Sequence, residues 1–478
     1  MKKLLLLLLL FPGFLLAQDC SCEANFLWLK KTFEENDAGF QYALDRKGTA
    51  EYEKHTALYA EKVKSITSPT ACSTTLMEWL LFFRKAHLSV SPKDNTTATT
   101  VVSNSQVPWK TYEISDKKLQ KQLESAGEKG FEGIWKTDPY TIGILKTGTG
   151  YVGFIIAAPG TNWQKNQIKL ILKPNATHGT YDGEFYMRNY ATQHFENAEL
   201  IGKNILNLGP FMLKRVNPKQ EDSPEIQLYS ELLTAAQPMI KEVNKNTLLL
   251  RIPSFAPSNK KAIDSLLKTY HNQITSTENL IIDIRGNGGG SDGSYNKIIP
   301  YLYTNPIRIV GLELYSTLLN NQRMEGFLSE PGITEAEKKE IQKDLAMLNA
   351  NLGKFVNLSG DNIVYTQKMD SVYAYPKNVA VLIDENNGST AEQFLLAAKQ
   401  SRKVKLFGTT TFGVLDISNM HFVDSPCTTL TLGYSLSKSF RIPDMTIDDK
   451  GIQPDFYMDK SIPKQDWVPF VVKILNND

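Results

Sequence analysis

From about residue 225 the chain alternates between short apolar runs and amphipathic stretches, and few folds accommodate that alternation. A helix-like segment at 226–243 is followed by a strand-like run at 247–252. A helix at 260–274, a strand at 280–285 and a helix at 295–302 come next. After an insertion, strand-like 378–384, helix-like 391–398 and strand-like 404–408 complete the series. Strands joined through helices pair in parallel, because a hairpin cannot make that connection. The spacing therefore predicts an α/β core over 225–478 with largely parallel strands. The insertion at 320–355 is charged and helical, and Thr334-x-x-Glu337 reads as its capping box. We read it as a solvated surface helix pair rather than a lid over a cleft.

The preceding half has other rhythms. Phe26, Leu27, Leu29 and Phe33, then Leu76, Trp79, Leu80, Phe82 and Phe83, recur near helical spacing, so 18–92 is expected to be a helical region broken at Ser68-Pro69-Thr70. Residues 90–100 are polar and linker-like. Short β-type runs separated by Gly, Pro and Asn turns fill 130–215. They predict a β-rich module over 105–217, a small antiparallel barrel or sandwich. Its Gly133-x-Trp135 faintly resembles the opening motif of lipocalins.

The chain begins with two lysines, a leucine run, Pro12-Gly13 and Ala17, which reads as a secretory signal peptide over 1–17. Gln18-Asp19 before Cys20 makes a lipoprotein the lesser reading. Removing Lys2 and Lys3 leaves 51 basic against 51 acidic residues, so no nucleic-acid footprint is expected. No later run is long and apolar enough to span a bilayer. An exported chain permits disulfides. Cys20 or Cys22 is expected to bridge Cys72, and Cys427 to be a buried thiol. No histidine stands at ligand spacing beside the cysteines, so no metal is expected there, and the serine chemistry read below needs neither a metal nor an organic cofactor.

Two turns carry the chemistry. Ser389 lies where an apolar strand meets a helix, a position from which a hydroxyl projects and following amides face a developing oxyanion. Ser389-x-x-Glu392 is also a capping box, the more common use of such a serine. The second turn, Gly286-Asn-Gly-Gly-Gly290, ends a buried strand. Ser291-Asp292 stands where a phosphate loop would place a lysine, so an anion hole for a peptide carbonyl fits better.

Together these runs resemble peptidase family S41, the tail-specific proteases and their tricorn-like relatives. The matching elements are Asp283-Ile-Arg-Gly-Asn-Gly-Gly-Gly290, Ser389 with Glu392, Thr411-Phe-Gly413 and Gly451-Ile-Gln-Pro-Asp455, in the family's order. The resemblance implies a ClpP/crotonase-like α/β fold and a serine nucleophile. Tail-specific members place a lysine directly after Phe-Gly; here that residue is Val414, which cannot take a proton. The tricorn-like pattern instead implies His87 as base, with Asp448 orienting it. Ala86 stands where that pattern has an assisting serine, and Asp448 where it has a glutamate. The oxyanion donors implied are the amides of Thr390 and of one turn glycine, Gly289 being preferred over Gly288 and Gly290. No PDZ module is evident, so preference for C-terminal tails is not implied.

The expectation is an exported serine endopeptidase acting on polypeptides through Ser389, His87 and Asp448. The alternative is a non-catalytic peptide- or ligand-binding protein on the same scaffold. In a third reading His421 serves as base.

Overall fold

The computed structural model describes residues 20–93, 109–125, 130–176 and 180–476. The expected signal segment 1–17 and most of the expected linker at 90–100 lie outside the described residues. The chain forms two compact units. One comprises 20–93, Ser254–Glu278 and Ile284–Phe456; the other comprises 109–253, Asn279–Asp283 and 457–476.

The first unit opens with four helices, Cys22–Asn36, Phe40–Lys47, Thr49–Val63 and Pro69–Leu80. Ser21 and Ser68 cap the first and last of these through their hydroxyls, and Pro69 occupies the first turn. Their apolar faces place Phe26, Leu29, Phe33, Leu76 and Trp79 in one core with Leu432 and Tyr434 of the long strand Leu430–Ser439. That strand pairs antiparallel with Ser89–Pro92 and with Ile417–Asp424. These pairings bring the end of the helical region against the late strands. Strands Asn378–Ile383 and Val404–Gly408 pair in parallel, joined by helix Thr390–Ala398. All but the first residue of Asn378–Ile383 are buried, as strands covered on both faces require.

Within the insertion, helices Leu318–Phe327 and Glu335–Asn349 are present, and Thr334 and Glu337 complete the capping box. The first helix is tethered: Asn320 donates to the Asn36 carbonyl at 2.8 Å and accepts from the Tyr434 hydroxyl at 2.9 Å.

The cysteines correct one expectation. Cys22 pairs with Cys72, but Cys427 is no free thiol and bridges Cys20, 407 positions away. Connectivity across such a span depends on tertiary structure, which cysteine spacing does not encode.

The second unit holds the β-rich module. Eight antiparallel strands from Gly133–Thr137 to Met212–Asn217 close into a barrel, the first pairing with the last. Trp135 is fully buried, with the Arg215 guanidinium 4.2 Å from its ring. Arg215 donates to the carbonyls of Gly130, Glu132 and Lys203, tying the entry segment to the closing strand. In the same unit Thr247–Arg251 and Asn279–Asp283 pair in parallel. Among the described residues no helix is long and apolar enough to cross a membrane.

Candidate active site

Ser389 precedes helix Thr390–Ala398 with φ 55° and ψ −125°, a left-handed backbone uncommon outside glycine. Its side chain makes no capping bond. Its amide instead donates to the Val414 carbonyl at 3.0 Å and its carbonyl accepts from Gln393. The capping box is therefore incomplete on the serine side, and Glu392 has other partners. Fully buried, it accepts from the Thr411 hydroxyl and from the amides of Gly413 and Val414 at 2.5–2.8 Å. Burial pushes its carboxyl up, and these bonds work against that shift. Glu392 thus fixes the Thr411-Phe-Gly413 turn behind the serine.

His87 meets the serine from the end of the helical region. Its Nε2 lies 3.1 Å from Ser389 Oγ, and its Nδ1 lies 2.8 Å from the Ile417 carbonyl. A carbonyl only accepts, so Nδ1 carries the proton and Nε2 presents its lone pair to the hydroxyl. Burial holds the imidazole below its ordinary pKa, with the Ile417 bond acting in the opposite direction. His87 also has a left-handed backbone, φ 53°. A buried ion pair secures it: Arg84 donates to both Asp37 oxygens at 2.6–2.7 Å and to the His87 carbonyl at 3.0 Å. Asp37 and Arg84 were not singled out in the sequence. The chain carries many charged pairs, and nothing local marks one that folds under the His87 turn.

Asp448 is placed differently from expectation. Its carboxylate accepts from the amides of Leu415, Asp416 and Ile417, at 2.5, 2.7 and 3.3 Å, and makes no hydrogen bond to His87 among the described residues. With both oxygens taken up by three amides, this short side chain does not serve as the imidazole's acceptor. The Ile417 carbonyl fills that place. Burial, and then the neighbouring Asp416, push Asp448 up to about 6. Asp416 is held by Arg441 at 2.8 Å and accepts the amides of Ile447 and Asp448. The two acids therefore lock the 415–417 backbone that presents a carbonyl to His87.

The glycine-rich turn lies against the serine. A Cβ built on Gly289, whose φ is 106°, would sit 2.9 Å from both Ser389 Cβ and the Thr390 nitrogen, so only glycine fits. Two fully buried asparagines staple the turns together. Asn387 donates to the carbonyls of Ile284 and Asn287 at 2.6 and 3.1 Å. Asn287 accepts from the Gly289 amide at 2.9 Å. The preferred oxyanion donor is thus already committed, because the asparagine two residues back closes a local turn on it. Among the described residues the amides of Gly288 and Thr390 have no hydrogen-bond acceptor.

Val414 occupies the position of the tail-specific lysine and is buried against Gly388. His421 is not beside the serine. It packs edge-on to Tyr434, with Nε2 buried and unpartnered.

A serine on a strand-to-helix turn, an acceptor imidazole and open backbone amides define a serine-hydrolase type of site on an α/β scaffold. Residues 246–458, somewhat under half of the chain, match the model of peptidase family S41. The whole chain is also similar in fold to mature CPAF complexed with lactacystin, with 14% identity, 96% of this chain and 99% of that one covered, and a TM-score of 0.50. A weaker likeness, at 11% identity and a TM-score of 0.39, is to the photosystem II D1 C-terminal processing protease, over 93% of this chain and 95% of that one. No curated protein is similar enough in sequence to count as a match.

Proposed function

We propose that the protein is an exported serine endopeptidase in which Ser389 is the nucleophile and His87 the general base. The reading rests on one observation above the rest, the 3.1 Å approach of His87 Nε2 to Ser389 Oγ. The hydroxyl proton passes to Nε2 as Oγ attacks the peptide carbonyl, and the imidazolium returns it to the leaving amine. The amides of Thr390 and Gly288 receive the oxyanion. Asp448 is a positioning residue, acting through the 415–417 backbone. Export is supported by the leader-like first 17 residues and the two disulfides.

The test is hydrolysis of an unstructured polypeptide such as casein, resolved by mass spectrometry. Internal cleavage by the wild type and none by Ser389→Ala supports the reading. Equal hydrolysis by the folded Ser389→Ala protein refutes it.

A further inference from the structure

The barrel contains a lysine that its sheet has gone out of its way to turn inward. On strand Ile168–Pro174, Leu170 and Leu172 belong to the barrel core, so strict alternation would point Lys169 outward. The pairing with the neighbouring strand slips here: Gly153 faces Leu170 while Phe154 faces Ile168, leaving Lys169 as the extra residue of a β-bulge. A bulge re-aims a side chain, and this one places Lys169 beside Leu170 in the interior. Lys169 is fully buried. Its amine has no hydrogen-bond partner. It lies 3.8, 4.1 and 4.9 Å from the ring centres of Tyr140, Trp163 and Phe185.

A purely structural lysine would send its amine to solvent or to an acceptor. This one does neither. Burial lowers its affinity for a proton to a pKa of about 7, so a neutral, nucleophilic amine is well populated at neutral pH. A carboxylate ligand would need further donors, and of the two that these neighbours carry, the Trp163 indole N–H is already given to the Met187 carbonyl at 3.2 Å. A carbonyl compound forms a neutral adduct that suits the apolar cage. Beyond this cage Trp163 stacks at 4.3 Å on the half-buried Tyr190, which also contacts Trp109. Eight-stranded barrels are wide enough to hold one small ligand.

We propose that the barrel binds a small aromatic aldehyde, or a similar apolar carbonyl compound, as an imine on Lys169. The Nζ lone pair adds to the carbonyl carbon, a proton moves from nitrogen to oxygen, and water leaves as the C=N bond forms. No oxidant or reductant takes part.

The test uses the full chain with benzaldehyde at pH 7, trapping imines with cyanoborohydride and mapping labelled peptides over time. Lys169 should be labelled at least about tenfold faster than surface lysines. Lys169→Met, with unchanged circular dichroism, should lose only that fast label. A merely structural lysine at this depth would be among the last to react. Late or absent labelling of Lys169 in the wild-type protein overturns the proposal, and that result does not depend on how the variant folds.

Discussion

His87 and Ser389, 302 positions apart in sequence, share a 3.1 Å hydrogen bond, and both are held in left-handed backbone, at φ 53° and 55°. Such conformations persist in non-glycine residues only where the surroundings over-determine them. Here the Asp37–Arg84 pair secures one and the Val414 carbonyl the other. The two strained residues are the two that exchange the proton in the proposed mechanism.

Removing either partner should remove the same step. Ser389→Ala and His87→Ala should each lower kcat by about 10³-fold or more, and the double variant should be little worse than the worse single one. Additive losses in steady-state kinetics would show that the two act separately.

Asp448→Asn should be milder than the loss of a carboxylate bonded directly to the base. We expect kcat to fall about ten- to a hundredfold with KM unchanged, short of the roughly 10⁴-fold typical of such a direct partner. A full 10⁴-fold drop would place Asp448 on the imidazole during turnover.

The acid limb of the kcat/KM profile should lie below pH 6.5. His87 is held below its ordinary pKa by burial, so the neutral base survives to lower pH, and activity falls as pH drops through that lowered value. A limb above the ordinary histidine range would contradict the assignment of the base.

The positions of the two turns of the candidate site were legible because the signals there are local. A strand ending in Asn-Asn-Gly-Ser-Thr and another ending in Gly-Asn-Gly-Gly-Gly announce tight turns with exposed amides. The alternation after residue 225 foretold parallel pairing, and the regular β runs foretold a barrel or sandwich. Less legible was anything decided by side chains meeting across the fold. The claim of the Asn287 side chain on the Gly289 amide, the three amides gathered by Asp448 and the partner of Cys427 depend on distances that spacing does not encode. The inward turn of Lys169 was hidden because a bulge breaks the alternation that sequence reading relies on.

Lys169→Met should raise the melting temperature at pH 7. The unfolded lysine holds its proton to about pH 10.4, whereas the buried one sheds it near 7, so stability rises with pH across that window and the charged form is a cost below it. The gain from methionine should fall by on the order of 4 kcal/mol between pH 7 and pH 10, the size set by the difference between the two pKa values. A pH-independent difference would mean that the buried lysine keeps its proton over the same range as the unfolded one.

Breaking Cys22–Cys72 with serines should cost about 4 kcal/mol, from the 50-residue loop it closes. Chemical denaturation of the double variant against the wild type measures it. A change under about 1 kcal/mol would show that the helical region holds its shape in the unfolded ensemble without the bridge.

The most direct test of the central claim is the rate at which a fluorophosphonate modifies Ser389, followed by intact mass and peptide mapping. The wild type should be labelled stoichiometrically at Ser389, and His87→Ala should react at least about a hundredfold more slowly while remaining folded. Equal labelling rates in the two proteins, or no labelling of a native wild type, would contradict activation of this serine by this histidine.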